Sequence, residues 1–214
     1  MFGSGAAQQY AAMVQQKTGL QAQDNRMVGY FQGLPAWTRT EMVANTMGAL
    51  RGNGGMLGGL GMLMGGSAGG MAHAMTGGSF FMKFDFVIEL PGNRLPGGSL
   101  RETTSFMIDK SLQQRQAIGG RTQCGVPWID SKYEVCSYDP GFMPYVCSSP
   151  ELQQHLQRWP YLNLSWEAER VWLEMIESPT RINSHFSTAE QQNGDMIVRG
   201  LWTVAAAARA TFAR

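Results

Sequence analysis

Charge is scarce in this chain. Lys, Arg, Asp and Glu make up 15% of its 214 residues, against roughly a quarter in ordinary soluble domains, and the two signs nearly cancel to a formal net charge of +1. With no positive field to gather phosphate backbones, nucleic acid is excluded as the expected partner. Cysteine is scarce as well. Cys124, Cys136 and Cys147 are odd in number and share no CxxC spacing, which argues against a disulfide framework and reads as structural thiols in a reducing, cytoplasmic compartment. The start, MFGSGAAQQY, has no basic segment followed by an apolar run, so no Sec-type signal peptide is expected.

The common signatures of catalysis are missing too. There is no GxSxG for a serine hydrolase and no GxxxxGK[ST] for a phosphate loop. A thiol enzyme would have to pair one of the cysteines with His73, His155 or His185, none of which lies in a recognisable signature. Cys136 falls in an alternating stretch and reads as a small core residue. Glu167, Glu169 and Glu174 read as the solvated face of a hairpin, which explains them more simply than acid and base roles. The six Cys and His residues are scattered singly, unlike zinc ligands. No enzyme and no cofactor are expected.

What the chain has in excess is glycine and methionine, concentrated between Arg51 and Lys83, where no charged side chain occurs. Glycine is a poor helix former and offers little apolar area, so a membrane span is disfavoured there, although a shallow insertion into a membrane surface is the second reading. Met71, His73 and Met75 form MxHxM, a set of thioethers and imidazole suited to Cu(I), which is the third reading. The leading one is an adhesive, adaptable contact surface, because solvated linkers carry Ser, Glu or Lys in place of Leu and Met. Its contact residues would be Met56, Leu57, Leu60, Met62, Leu63, Met64 and Met71, and the expected partner is another protein or a second copy of the chain.

Around this segment the pattern is that of a folded domain. Ala6, Tyr10, Met13, Val14 and Lys17 recur at helical spacing before Gly19. LQAQ and MVGYFQG read as short strands joined at Asp24 and Asn25, with Pro35 closing the unit. Residues Thr40 to Leu50 are ambiguous: their Ala and Met favour a helix, while their place before another strand favours a hairpin arm, the preferred reading. In FFMKFDFVIEL, Phe80, Met82, Phe84, Phe86, Ile88 and Leu90 alternate strictly with Lys83, Asp85 and Glu89, which predicts an antiparallel strand with one apolar and one wet face. TSFMID, SKYEVCSY and MPYVC are further candidate strands. Ser149 and Pro150 open a helix lined by Leu152, Leu156 and Trp159 and ended by Pro160. Residues 161–176 alternate as a hairpin. Ile197, Leu201, Val204, Ala208 and Phe212 define a final helix.

Strands grouped between helices predict an α+β class: a mostly antiparallel sheet packed with an N-terminal helix, a short middle helix and a C-terminal helix. The expectation is a single domain over 1–214 with a Gly/Met-rich hairpin insertion at about 52–78.

The order of KTGLQAQDNRMVGYFQGLP, FFMKFDFVIELPGNRLPGG and SKYEVCSYDPGFMPYVCSSPELQQHLQR resembles that of a group of mainly actinobacterial soluble α+β domains with no assigned activity. The resemblance implies an LPG turn after the aromatic strand and a DP pair before a helix. It also implies a short hairpin turn where this chain carries its insertion, which is far longer than ordinary hairpin loops.

Overall fold

The computed structural model describes residues 4–44, 80–102, 117–159, 162–177 and 194–212. A nine-stranded sheet organises them, with every neighbouring pair antiparallel. The chain begins with helix α1 (Ser4–Thr18) and enters the sheet at β1 (Gln21–Gln23), β2 (Arg26–Phe31) and β3 (Leu34–Ala44). Gly19, at φ +77, ends α1 in the left-handed conformation that glycine adopts without strain. Strands β4 (Phe80–Glu89), β5 (Gly98–Glu102) and β6 (Gly120–Thr122) follow, then helix α2 (Pro127–Lys132), β7 (Tyr133–Ser137) and helices α3 (Phe142–Cys147) and α4 (Pro150–Gln157). The hairpin of β8 (Asn163–Glu167) and β9 (Arg170–Glu177) precedes helix α5 (Asp195–Ala210). Across the sheet the order is β1-β2-β3-β4-β9-β8-β5-β7-β6, so β4 and β9 lie near the middle.

This is the expected α+β arrangement, and the helices pack on one face of it. Met82, Phe84, Phe86, Ile88 and Leu90 are buried in the main core, as the alternation predicts. The same register runs sideways: Thr38, Phe86, Leu173, Leu164, Leu100 and Val135 stand opposite one another through successive strands. Helix α5 lies over this face with Ile197, Leu201, Val204 and Ala208 buried. The indole of Trp159 donates to Thr203 Oγ1 at 2.7 Å and that of Trp166 to the Ala207 carbonyl at 3.3 Å, so both large rings enter the core with their polar edges satisfied.

Three local expectations are corrected. MPYVC is helical: it forms α3, where Phe142, Met143, Val146 and Cys147 turn inward at helical spacing. A short apolar run reads alike as strand or helix, and burial of one side decided for helix. Pro35 lies within β3 and does not close a unit; it stands opposite Tyr30, one position before the ladder with β4 begins at Ala36 and Ile88, so its missing N–H is not needed there. Helix α4 ends at Gln157, short of Pro160, although its start is as expected, with Ser149 Oγ accepting the Leu152 N–H at 3.3 Å. TSFMID lies outside the described residues. Strands β5 and β6 and helix α2 were not evident from sequence pattern.

Candidate functional site

The face of the sheet opposite the helices was expected to be wet, and that expectation fails. Lys83 is 2% exposed and Asp85 and Glu174 are 0% exposed. Alternation fixes which face a strand residue joins but leaves open what covers that face. A charged residue can be withdrawn from water when it is paired, and here the pairing is supplied by the neighbouring strands.

Register builds the network. Arg39 on β3, Asp85 on β4 and Glu174 on β9 stand side by side, and the next row outward holds Glu41, Lys83 and Ile176. The Arg39 guanidinium donates from Nε and Nη2 to Asp85 Oδ2 at 3.1 and 2.8 Å. The other oxygen, Oδ1, accepts the indole N–H of Trp172 at 3.0 Å. Lys83 Nζ sits 3.3 Å from Glu174 Oε2 and 3.7 Å from both Asp85 Oδ2 and Glu41 Oε1. Arg39 Nη2 is also 3.6 Å from Glu41. Two cations and three carboxylates therefore interlock across three strands, each facing opposite charge.

Beside the ions stands an aromatic row. Trp37 and Trp172 flank Val87 in register and meet edge to face, with centroids 5.3 Å apart. Trp37 Nε1 donates to Glu89 Oε1 at 3.0 Å. The guanidinium groups of Arg26 and Arg170 lie 4.3 and 5.2 Å from the ring centroids of Trp37 and Trp172, close enough for cation–π attraction. A cavity of about 360 Å³ opens at this end, lined by Gln23, Asp24, Asn25, Arg26, Val28 and Trp37. Tyr30, on the same face of β2, is 70% exposed.

The chemistry of this site is ion pairing. Lys83 is ringed by carboxylates, and the described network holds no histidine, thiol or hydroxyl nucleophile at its centre. Its physical effect is on register: a one-residue slip of β3 or β9 against β4 would carry these charges to the apolar helix face. Among the described residues, no group of three or more His, Cys, Asp and Glu side chains is placed to hold a metal ion.

The sequence-predicted residues fall as follows. Met56, Leu57, Leu60, Met62, Leu63, Met64, Met71, His73 and Met75 all lie outside the described residues. The three carboxylates read as solvated do not behave alike: Glu169 is exposed at the β8–β9 turn, Glu167 is half-buried 3.6 Å from Arg170, and Glu174 is buried against Lys83. The three cysteines are free and buried. Cys136 is buried, as expected, but stands outside the main apolar cluster, and its burial pushes its thiol pKa up. Arg39, Glu41, Lys83 and Trp172 escaped sequence reasoning as a group because their meeting depends on non-local strand register.

Compared with known proteins, the chain matches no family model, no curated protein and no solved structure. Among the described residues, no helix is long and apolar enough to cross a membrane.

Proposed function

We propose that the chain is a non-catalytic cytoplasmic interaction protein that works through protein contacts, self-association among them, with residues 52–78 as its contact element. One observation carries this reading. Strands β3 and β4 pair continuously from Ala36 opposite Ile88 to Ala44 opposite Phe80, so residues 45–79 join two strands that are already partners. A hairpin of this kind needs only a few residues to turn. The connection, in which Arg51 is the one Lys, Arg, Asp or Glu, is far longer than such a turn requires, and its Leu and Met content suits adaptable packing against another surface.

Two further features support the proposal. Arg39, Glu41, Lys83 and Asp85 of the ion network lie on the two strands that launch the connection, and Glu174 ties them to β9, which gives the contact element a register-locked base. The outer strands β1 and β6 are three residues each, with Gln21–Gln23 exposed along its length. Short polar edges are poor templates for strand addition, so association through the connection is favoured over extension of the sheet.

The test replaces residues 45–79 by Asn-Gly and compares the sedimentation of the two folded proteins. The intact chain should sediment as an oligomer and the shortened one as a monomer. If the two proteins have the same association state, and only the intact one floats with liposomes or competes with bathocuproine for Cu(I), the contact reading gives way to membrane insertion or to copper binding respectively.

A further inference from the structure

At the outer edge of the sheet the turn Asp24–Asn25 joins β1 to β2, with Gln23 opposite Arg26, and Val28 stands opposite Trp37 of β3. Opposed residues share a face of a sheet, as do alternate residues of one strand, so Gln23, Arg26, Val28 and Trp37 border one space. With Asp24 and Asn25 they line the cavity of about 360 Å³, within the size range of small-molecule sites. Its charges are one carboxylate, Asp24, and one guanidinium, Arg26. Among the described residues neither belongs to an ion pair, and the side chains of Gln23, Asp24 and Asn25 make no hydrogen bond. Arg26 is held instead over the Trp37 ring, 4.3 Å from its centroid, and the indole N–H is already engaged by Glu89.

We propose that this cavity binds a free α-amino acid with an apolar side chain. Such a ligand carries an ammonium and a carboxylate on one carbon atom, and the cavity offers one partner to each. A guanidinium over an aromatic ring can still donate from its N–H edge, so Arg26 takes the carboxylate. Asp24 takes the ammonium, and the amide oxygens of Gln23 and Asn25 are acceptors for its remaining N–H groups. Val28 and the Trp37 ring form the apolar wall for the side chain. The same features count against other ligands. A simple anion would meet the Asp24 carboxylate, and a simple cation would meet Arg26. A sugar ring needs an open aromatic face, whereas Trp37 is 8% exposed and Arg26 lies over it.

Gln23, Asp24, Asn25 and Arg26 are all exposed, so water screens both charges and the binding is weak and reversible. The cavity lies at the β1–β2 edge, whereas the β3–β4 connection leaves from Ala44 and Phe80. Occupancy of the cavity is therefore measured independently of association through that connection.

The test titrates the folded, isotope-labelled full chain with L-leucine and follows its backbone amide and indole N–H signals by NMR. Saturable shifts are expected at Gln23, Asp24, Asn25, Arg26 and the Trp37 indole. N-acetyl-L-leucine, which lacks the ammonium, and L-leucinamide, which lacks the carboxylate, should each bind at least about tenfold more weakly, the loss expected when a charged hydrogen-bond partner is removed. Glycine, without an apolar side chain, should bind more weakly than leucine, and glucose should give no saturable shift. Arg26→Gln should lower the affinity for leucine to that for leucinamide, and Asp24→Asn should lower it by about tenfold. Should either variant fail to fold, the ligand series on the wild-type chain decides alone. No saturable shift with leucine overturns the proposal, as does glucose, leucinamide or N-acetyl-L-leucine binding as tightly as leucine, or leucine binding that survives both substitutions unchanged.

Discussion

Gly200 of α5 lies flat against the ring of Phe86 of β4. A methyl group at position 200 would stand 2.5 Å from Cε1 and Cζ of that ring and 2.6 Å from Cε2, closer than packed carbon atoms approach. The ring has little room to yield, since Trp159 lies 6.4 Å away, centroid to centroid. Gly200→Ala therefore sets two effects against each other. Alanine gains about 1 kcal/mol over glycine inside a helix, whereas overpacking a core costs about 1–3 kcal/mol. At 2.5 Å the upper part of that range applies, so the variant should be less stable in urea. A smaller ring-site residue should absorb the methyl, making Gly200→Ala less harmful in a Phe86→Leu background. An unfolding midpoint at or above wild type for Gly200→Ala alone would contradict this packing.

Asp85 anchors both the ion network and the aromatic row, through Arg39 and Trp172. Removing it leaves Arg39, Lys83 and an indole N–H short of a buried acceptor. Breaking one member of a buried ionic group costs about 3–5 kcal/mol. Asp85→Ala should lose that much stability in denaturant titration, in contrast to Glu169→Ala on the exposed turn, which should change little. Equal midpoints for the two variants would mean that the network does not stabilise the sheet.

Acid should weaken the packing of α4 through two groups with lowered pKa values. His155 is depressed below its ordinary value of 6.5 by burial, with Arg158 adding to the effect, and its buried Nδ1 has no hydrogen-bond partner among the described residues. As pH falls through the unfolded value, the unfolded imidazole binds a proton before the folded one does, so stability drops from about pH 6.5 downward. Glu151 is lowered by its hydrogen bond from Arg209. Its contribution is present above the unfolded carboxylate pKa and is lost as pH falls through the lower folded one. His155→Gln should flatten the upper step of a pH–stability curve and Glu151→Gln the lower one. Identical curves for wild type and His155→Gln would refute the assignment.

Where sequence and structure agree, the agreement rests on local periodicity. The strict alternation from Met82 to Leu90 marked the strand and its core face, and the spacing of Ile197, Leu201, Val204 and Ala208 marked α5. The turn at Asp24 and Asn25 and the Ser149 cap were legible for the same reason. Periodicity could not show that Lys83, Asp85 and Glu174 would be buried, because a charge reads as solvated until its partner on another strand is known. The residues assigned to contact were chosen from composition, and they lie outside the described part of the chain.

Shortening the β3–β4 connection tests whether the sheet depends on it. Loop-closure entropy grows slowly with length, so replacing residues 45–79 by Asn-Gly should raise stability by about 2–3 kcal/mol if the connection contributes no packing of its own. Thermal unfolding of the two proteins measures this directly. A large loss would show that the connection belongs to the core of its own chain and would argue against its use as a surface for others.

The central claim is that apolar side chains in residues 52–78 hold copies of the chain together. Light scattering over a concentration series tests it most directly, comparing the intact protein with a variant of unchanged length carrying Leu57→Ser, Leu60→Ser and Leu63→Ser. The account predicts a mass well above the 23.5 kDa of one chain for the intact protein, rising with concentration, and a mass near one chain for the variant. An intact protein that stays at 23.5 kDa throughout, or a variant that assembles as the intact protein does, would contradict it.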